Sequence, residues 1–162
     1  MLAGSRDLRD ILRSYIPDSA IWEESVCGTL LYAPWWAASC SGLAPDDFHY
    51  AHYRLAFRDM LRAALRDPIR VTVAEAARKV LRDMTNPADR AVGQHPCSIV
   101  EELDAWVYRQ CEDEATLRWV CGYVHELSVR RRCWQVGVRV LDMATCATPE
   151  AIEAMLRRVG DA

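Results

Sequence analysis

Two short spacings in this chain carry the residue types of metal or acid–base chemistry. Cys121 and His125 lie four apart, on one face of any helix there, with Cys133 or the pair His95 and Cys97 as further ligands. Zinc needs four converging ligands, and two of the usual short-spaced pairs are missing. Packed core thiols are the expected reading. His49 and His52 sit three apart behind Asp46 and Asp47. That is the beginning of a metal half-site or an acid/base pair, but no third ligand or nucleophile stands near it. Two aspartates at the positive end of a helix explain the cluster more simply.

Phosphate chemistry fares no better. Lys79 is the single lysine, set in Ala76-Ala77-Arg78-Lys79-Val80 with no glycine near it. A phosphate-cradling loop needs a glycine-rich turn closing on Gly-Lys-Ser/Thr, and the dinucleotide-binding glycine pattern is absent too. The chain is therefore expected to be neither a P-loop motor nor any other enzyme, and to use no cofactor and no metal. Arg130, Arg131 and Arg132, with Arg118 and Arg139, could meet phosphate or an acidic partner. A solvated helix commonly carries such residues, and Glu126 to Arg130 is an i,i+4 pair. Thr72 to Met84 resembles the first helix of a helix-turn-helix, but Thr85-Asn86-Pro87 and a long loop follow it where a reading helix should stand. Direct DNA binding is expected to be weak or absent. A DNA-binding regulator using the 72–84 helix and the Arg-rich helix is the alternative.

The elements that would position these groups are helices. The 162 residues are 51% apolar and 27% charged, with seven Gly and seven Pro. That suits a packed core and excludes a disordered or collagen-like chain. The net charge of −3 gives no general pull toward nucleic acid or membrane. Seven scattered cysteines without a C-x-x-C, and an N-terminus bearing charges of both signs, fit reduced thiols and no signal peptide. A cytoplasmic location is expected. Residues 25–45 carry no charge, but Pro34, Gly28 and Gly42 interrupt them, so they read as buried helices and not as a membrane span.

Local signals place the elements. Ser5 caps a short helix to Tyr15, and a second runs from about Ser19 to Tyr32, before Pro34. Trp35-Trp36 opens a short third. A fourth starts at Asp46, or at Ala44-Pro45, and runs to Asp67-Pro68. After an extended Ile69-Arg70-Val71, the capping box Thr72-Val73-Ala74-Glu75 launches a fifth, ending near Met84. Residues 85–97 are the loop. Ser98-Ile99-Val100-Glu101 is a second capping box. From Glu114 to Ala144 no proline interrupts a continuous apolar stripe, so one long helix is expected. Thr148-Pro149 opens the last helix, to 159. The reading is all-α: an extension helix at 1–17, a globular helical domain at 18–112 and a helical hairpin at 113–162.

In that order, three stretches resemble the N-terminal domain of DnaB-type replicative DNA helicases. They are Glu23-Glu24-Ser25-Val26-Cys27-Gly28-Thr29-Leu30-Leu31, Leu43-Ala44-Pro45-Asp46-Asp47-Phe48 and Tyr53-Arg54-Leu55-Ala56-Phe57. The family patterns are E-x-S/A-V-L-G-x-L-L, L-x-P-x-D-F and H-R-x-I-F. Val71-Thr72-Val73-Ala74-Glu75 is similar to a family helix start. Tyr53 stands where the family has His, and Cys27 where it has Leu. The resemblance covers about residues 18–160 and lacks the family's ATPase, as a standalone relative (a phage or plasmid protein, for example) or a fragment would.

The resemblance implies a non-catalytic interaction domain of DNA replication that self-associates and docks primase, a helicase loader or the replicative helicase. It implies a homodimer through the hairpin, extending to three dimers in a ring. The hairpin's apolar positions Leu117, Val120, Val124, Leu127, Trp134, Val138 and Leu141 are the expected self-association residues, since a lone hairpin leaves apolar surface uncovered. Trp35, Trp36, Arg130, Arg131 and Arg132 are the expected partner contacts.

Overall fold

A computed structural model describes residues 18–84, 96–146 and 148–160. These form two compact units, Asp18–Ser128 and the residues from Val129 on. The architecture is all-α, with no strand among the described residues. The expected extension helix and most of the 85–97 loop lie outside them.

Helix α1 spans Ala20–Tyr32, with Asp18 accepting from the Ala20 N–H at 2.9 Å. Pro34 then sits at the first position of a 3₁₀ helix, Pro34–Cys40, so the uncharged 25–45 stretch is broken into short buried pieces. No helix among the described residues is long and apolar enough to cross a membrane. The expected long helix from Asp46 is broken as well. A 3₁₀ turn at Pro45–Asp47 ends at Phe48, whose backbone is extended, and α2 starts only at Ala51 and runs to Arg66. The break has a cause outside the segment: the Glu23 carboxylate on α1 accepts the N–H groups of His49 at 2.8 Å and Tyr50 at 3.1 Å. It takes up donors that the start of a helix leaves unsatisfied.

Helix α3 spans Arg70–Met84, beginning two residues before the expected Thr72 cap. Thr72 therefore lies inside the first turn, and its hydroxyl reaches the Asp67 carboxylate at 3.4 Å. Arg70 fixes the earlier start, because its guanidinium lies 4.4 Å from the Tyr32 ring centre and 5.3 Å from that of Trp35. Its Nε also donates to the Tyr32 carbonyl. Such stacking favours a planar cation at that position. Helix α4, Pro96–Tyr108, likewise starts ahead of its expected Ser98 cap, with proline in its first turn.

Helix α5 is the expected long element, 33 residues from Glu114 to Cys146, and α6 spans Pro149–Gly160. Asp113 caps α5, accepting from the Thr116 N–H at 2.7 Å. The core of the larger unit gathers Val26 and Leu30 of α1, Phe57 and Met60 of α2, Val73 of α3 and Trp106 of α4. Leu117, Val120 and Val124 of α5 complete it. Phe48 stacks on Phe57 at 4.5 Å between ring centres, as anchors for the chain entering α2.

At Gly28 the backbones of α1 and α4 come into direct contact. A Cβ there would lie 1.8 Å from the Trp106 carbonyl oxygen, so only glycine permits the crossing.

Candidate interaction surfaces

The motif residues of α1 and the 43–48 turn converge on two buried carboxylates. Glu23 is fully buried and accepts from the Ser19 hydroxyl as well as from the two amides that precede α2. Asp47 accepts from the Ala44 N–H at 2.9 Å and lies 3.1 Å from His125 Nδ1. Burial works to raise the Asp47 pKa, yet the Ala44 amide, His125 and Ser128 together hold it below the usual 3.8. The pair ties the 45–47 turn to α5.

The sign of the pH dependence follows. A carboxyl group depressed in the folded state contributes stability above its unfolded pKa and loses it as pH falls through the folded value. Asp47→Asn should therefore flatten the acid limb of stability below pH 3.8, leaving the neutral range to register only the lost contacts. Urea midpoints between about pH 6 and about pH 3 would check this, and parallel wild-type and variant curves would disprove it.

His49 and His52 do not share a helical face. His49 precedes α2 and packs edge-on against Tyr50, whereas His52 lies in the first turn, 3.9 Å from the Tyr53 ring. Burial lowers the His52 pKa, with Glu23 opposing. Cys121 and His125 also part: Cys121 donates toward Cys40, sulfur to sulfur 3.8 Å, while His125 turns to Asp47. Cys27, Cys40, Cys111 and Cys121 are buried free thiols, and Cys133 is exposed. The Cys40 thiol is pushed well up by its contact with Cys121 and by burial, and burial raises Cys27 and Cys111 as well, so these three are poor nucleophiles. His95 lies outside the described residues, as does the Cys97 side chain.

The expected self-association residues divide sharply. Leu117, Val120, Val124 and Leu127 are buried within the single chain, the first three in its main core. Trp134 and Val138 are half-buried, and Leu141 is exposed. Trp134 also has a buried indole N–H with no acceptor among the described residues. Of the expected partner contacts, Trp35 is exposed beneath the Arg70 guanidinium, and Trp36 packs partly against the core. Arg130 and Arg132 are exposed, while Arg131 is buried.

The sequence counts Trp119 among the hairpin's apolar positions but does not reveal two surfaces that the fold assembles. Trp119 and Tyr123, one turn apart on α5, stack in parallel at 5.5 Å, and Trp22 of α1 meets both edge-on. Trp119 remains 59% exposed. The i,i+4 spacing of the two, off the buried stripe, was the available signal. The second surface is a groove of about 650 Å³ between α2 and α3, walled by Arg62, Arg66, Lys79 and Arg82, with Asp59 and Glu75. Its cations recur at i,i+4 on one helix and i,i+3 on the other, but only the pairing of the helices makes them neighbours.

Comparison of the chain with family models, with curated proteins and with solved structures finds no match in any of the three.

Proposed function

We propose that this chain is a non-catalytic protein–protein interaction domain of DNA replication, similar to the collar formed by the N-terminal domains of DnaB-type helicases. One observation carries the reading: the residues that make the resemblance act as a connected structural unit. Glu23 caps the entry to α2, Gly28 admits α4, Asp47 holds its turn and Phe48 stacks on Phe57. Motif residues with such roles argue for a shared fold, and function follows by analogy with that fold. On this reading the domain self-associates through the half-buried and exposed positions of the hairpin seam, Trp134, Val138 and Leu141. It docks primase, a helicase loader or the replicative helicase through Trp35 and the exposed arginines, Arg130 and Arg132.

Light scattering coupled to size exclusion tests the first half. In high-salt buffer, which screens contacts between exposed charges, the chain should elute as a dimer or larger, and Leu141→Asp should reduce it to a monomer with unchanged helicity. Leu127 is unsuitable for this substitution, being buried within one chain. Retention on immobilised primase or replicative helicase, weakened by Trp35→Ala, tests the second half. A monomeric wild-type chain that neither partner retains would reject the proposal. A salt-sensitive shift of labelled duplex DNA would instead favour the DNA-binding regulator.

A further inference from the structure

We propose that the basic α2–α3 groove receives the exposed acidic face of α4 from a second copy of this chain, a head-to-tail contact. The inference rests on the self-associating reading and adds an interface distinct from the hairpin seam.

Arg62 and Arg66 line the groove from α2 and Lys79 and Arg82 from α3, with Ala63, Ala76 and Val71 also in the lining. Among the described residues, Arg62, Arg66 and Lys79 make no ion pair. Of the two carboxylates in the groove, Asp59 pairs with Arg58 at 2.8 Å, outside the lining, and is drawn more weakly to Arg62 and Lys79. A cationic trough that also presents apolar side chains suits an amphipathic helix bearing acids.

The same chain displays such a helix. Val100, Asp104 and Tyr108 form an i,i+4 stripe on α4, with Glu101 and Ala105 beside it, all exposed. Tyr108 is 91% exposed and Val100 49%, so the stripe offers apolar as well as acidic contacts. Neither Glu101 nor Asp104 is ion-paired among the described residues. Arg70 and Arg78 of the same chain share a smaller hollow with Asp104 but form no ion pair with it.

Nucleic acid fits the groove less well. No aromatic residue lines it to stack a base, and Glu75 stands among the cations where a phosphate chain would pass. A protein helix of mixed character tolerates both features. Because the two surfaces differ, each copy can give and receive at once, and such contacts generate rings or filaments according to the rotation between copies.

Charge exchange tests this. Sedimentation velocity at low ionic strength, in the wild type and in the Leu141→Asp chain, isolates the proposed contact from the hairpin. Both should associate with increasing concentration, and salt should weaken the association. Arg62→Glu with Lys79→Glu should weaken self-association at least about tenfold, as should Glu101→Arg with Asp104→Arg. An equimolar mixture of those two variants should reassemble, since each groove then faces a helix of opposite sign. Damage to the fold by either pair would not be repaired by mixing. The proposal falls if the Leu141→Asp chain stays monomeric at every concentration, or if the mixture fails to associate. Either result leaves the hairpin dimer and its partners standing. Binding of a labelled oligonucleotide that the groove variant abolishes would also overturn it, by assigning the groove to nucleic acid.

Discussion

Replacing Gly28 with alanine should destabilise the chain by about 3 kcal/mol or more, far beyond the ordinary cost of a methyl group. The added Cβ would sit 1.8 Å from the Trp106 carbonyl oxygen and 2.5 Å from its carbon. Both are backbone atoms, so no rotamer change relieves the clash. The helices must separate, and the fully buried residues around the crossing, Val26, Leu30 and Trp106, lose close packing with them. At the scale expected for a chain of this length, the midpoint of thermal unfolding should drop by ~10 °C. Gly122→Ala is the matched control. It lies on an exposed face of α5 with nothing within 4 Å of the added carbon, and alanine there should stabilise by up to about 1 kcal/mol through helix propensity. Thermal and urea unfolding followed by tryptophan fluorescence would read both. Equal tolerance of the two substitutions would mean that α1 and α4 are not in the contact described.

The order and approximate length of the described helices were legible because their signals are local. Pro34, Asp67-Pro68 and Thr148-Pro149 punctuate the chain where the structure turns, and the proline-free stripe after Glu114 becomes one 33-residue helix. The misplaced boundaries share a different origin. Glu23 claims amides that lie 26 and 27 residues further along, so no window around His49 could reveal the break before α2. Arg70 draws the start of α3 forward by stacking on Tyr32 and Trp35, overriding a capping box that is sound in isolation.

The candidate surfaces were less legible for a related reason. Periodicity shows that Leu117, Val120 and Val124 must be covered, but not by which neighbour. Their cover is the core of the same chain. Farther along α5, Val129 and Val136 are exposed and the apolar pattern loosens. The basic groove and the α4 stripe depend on which helices lie side by side, a tertiary fact that charge counting along the sequence does not contain.

Glu23→Ala is the second substitution expected to act strongly, at about 3 kcal/mol. It removes the shared acceptor of the Ser19 hydroxyl and of the His49 and Tyr50 N–H groups, and it leaves a gap in a fully buried position. The two amides are only partly buried, so water recovers some of the loss and keeps the figure below what three dry orphans would give. Glu23→Gln should fall between wild type and alanine. Its carbonyl can accept at one site, but its NH₂ group then faces a donor at the other. Hydrogen exchange separates this effect from general loosening. Amides at His49, Tyr50 and the first turn of α2 should lose protection under native conditions, while those in the middle of α3 keep theirs. If protection fell uniformly across both helices, Glu23 would be one more buried side chain. Loss confined to the start of α2 would identify it as the remote cap that sets where this helix begins, and so where Phe48 and the 45–47 turn are held.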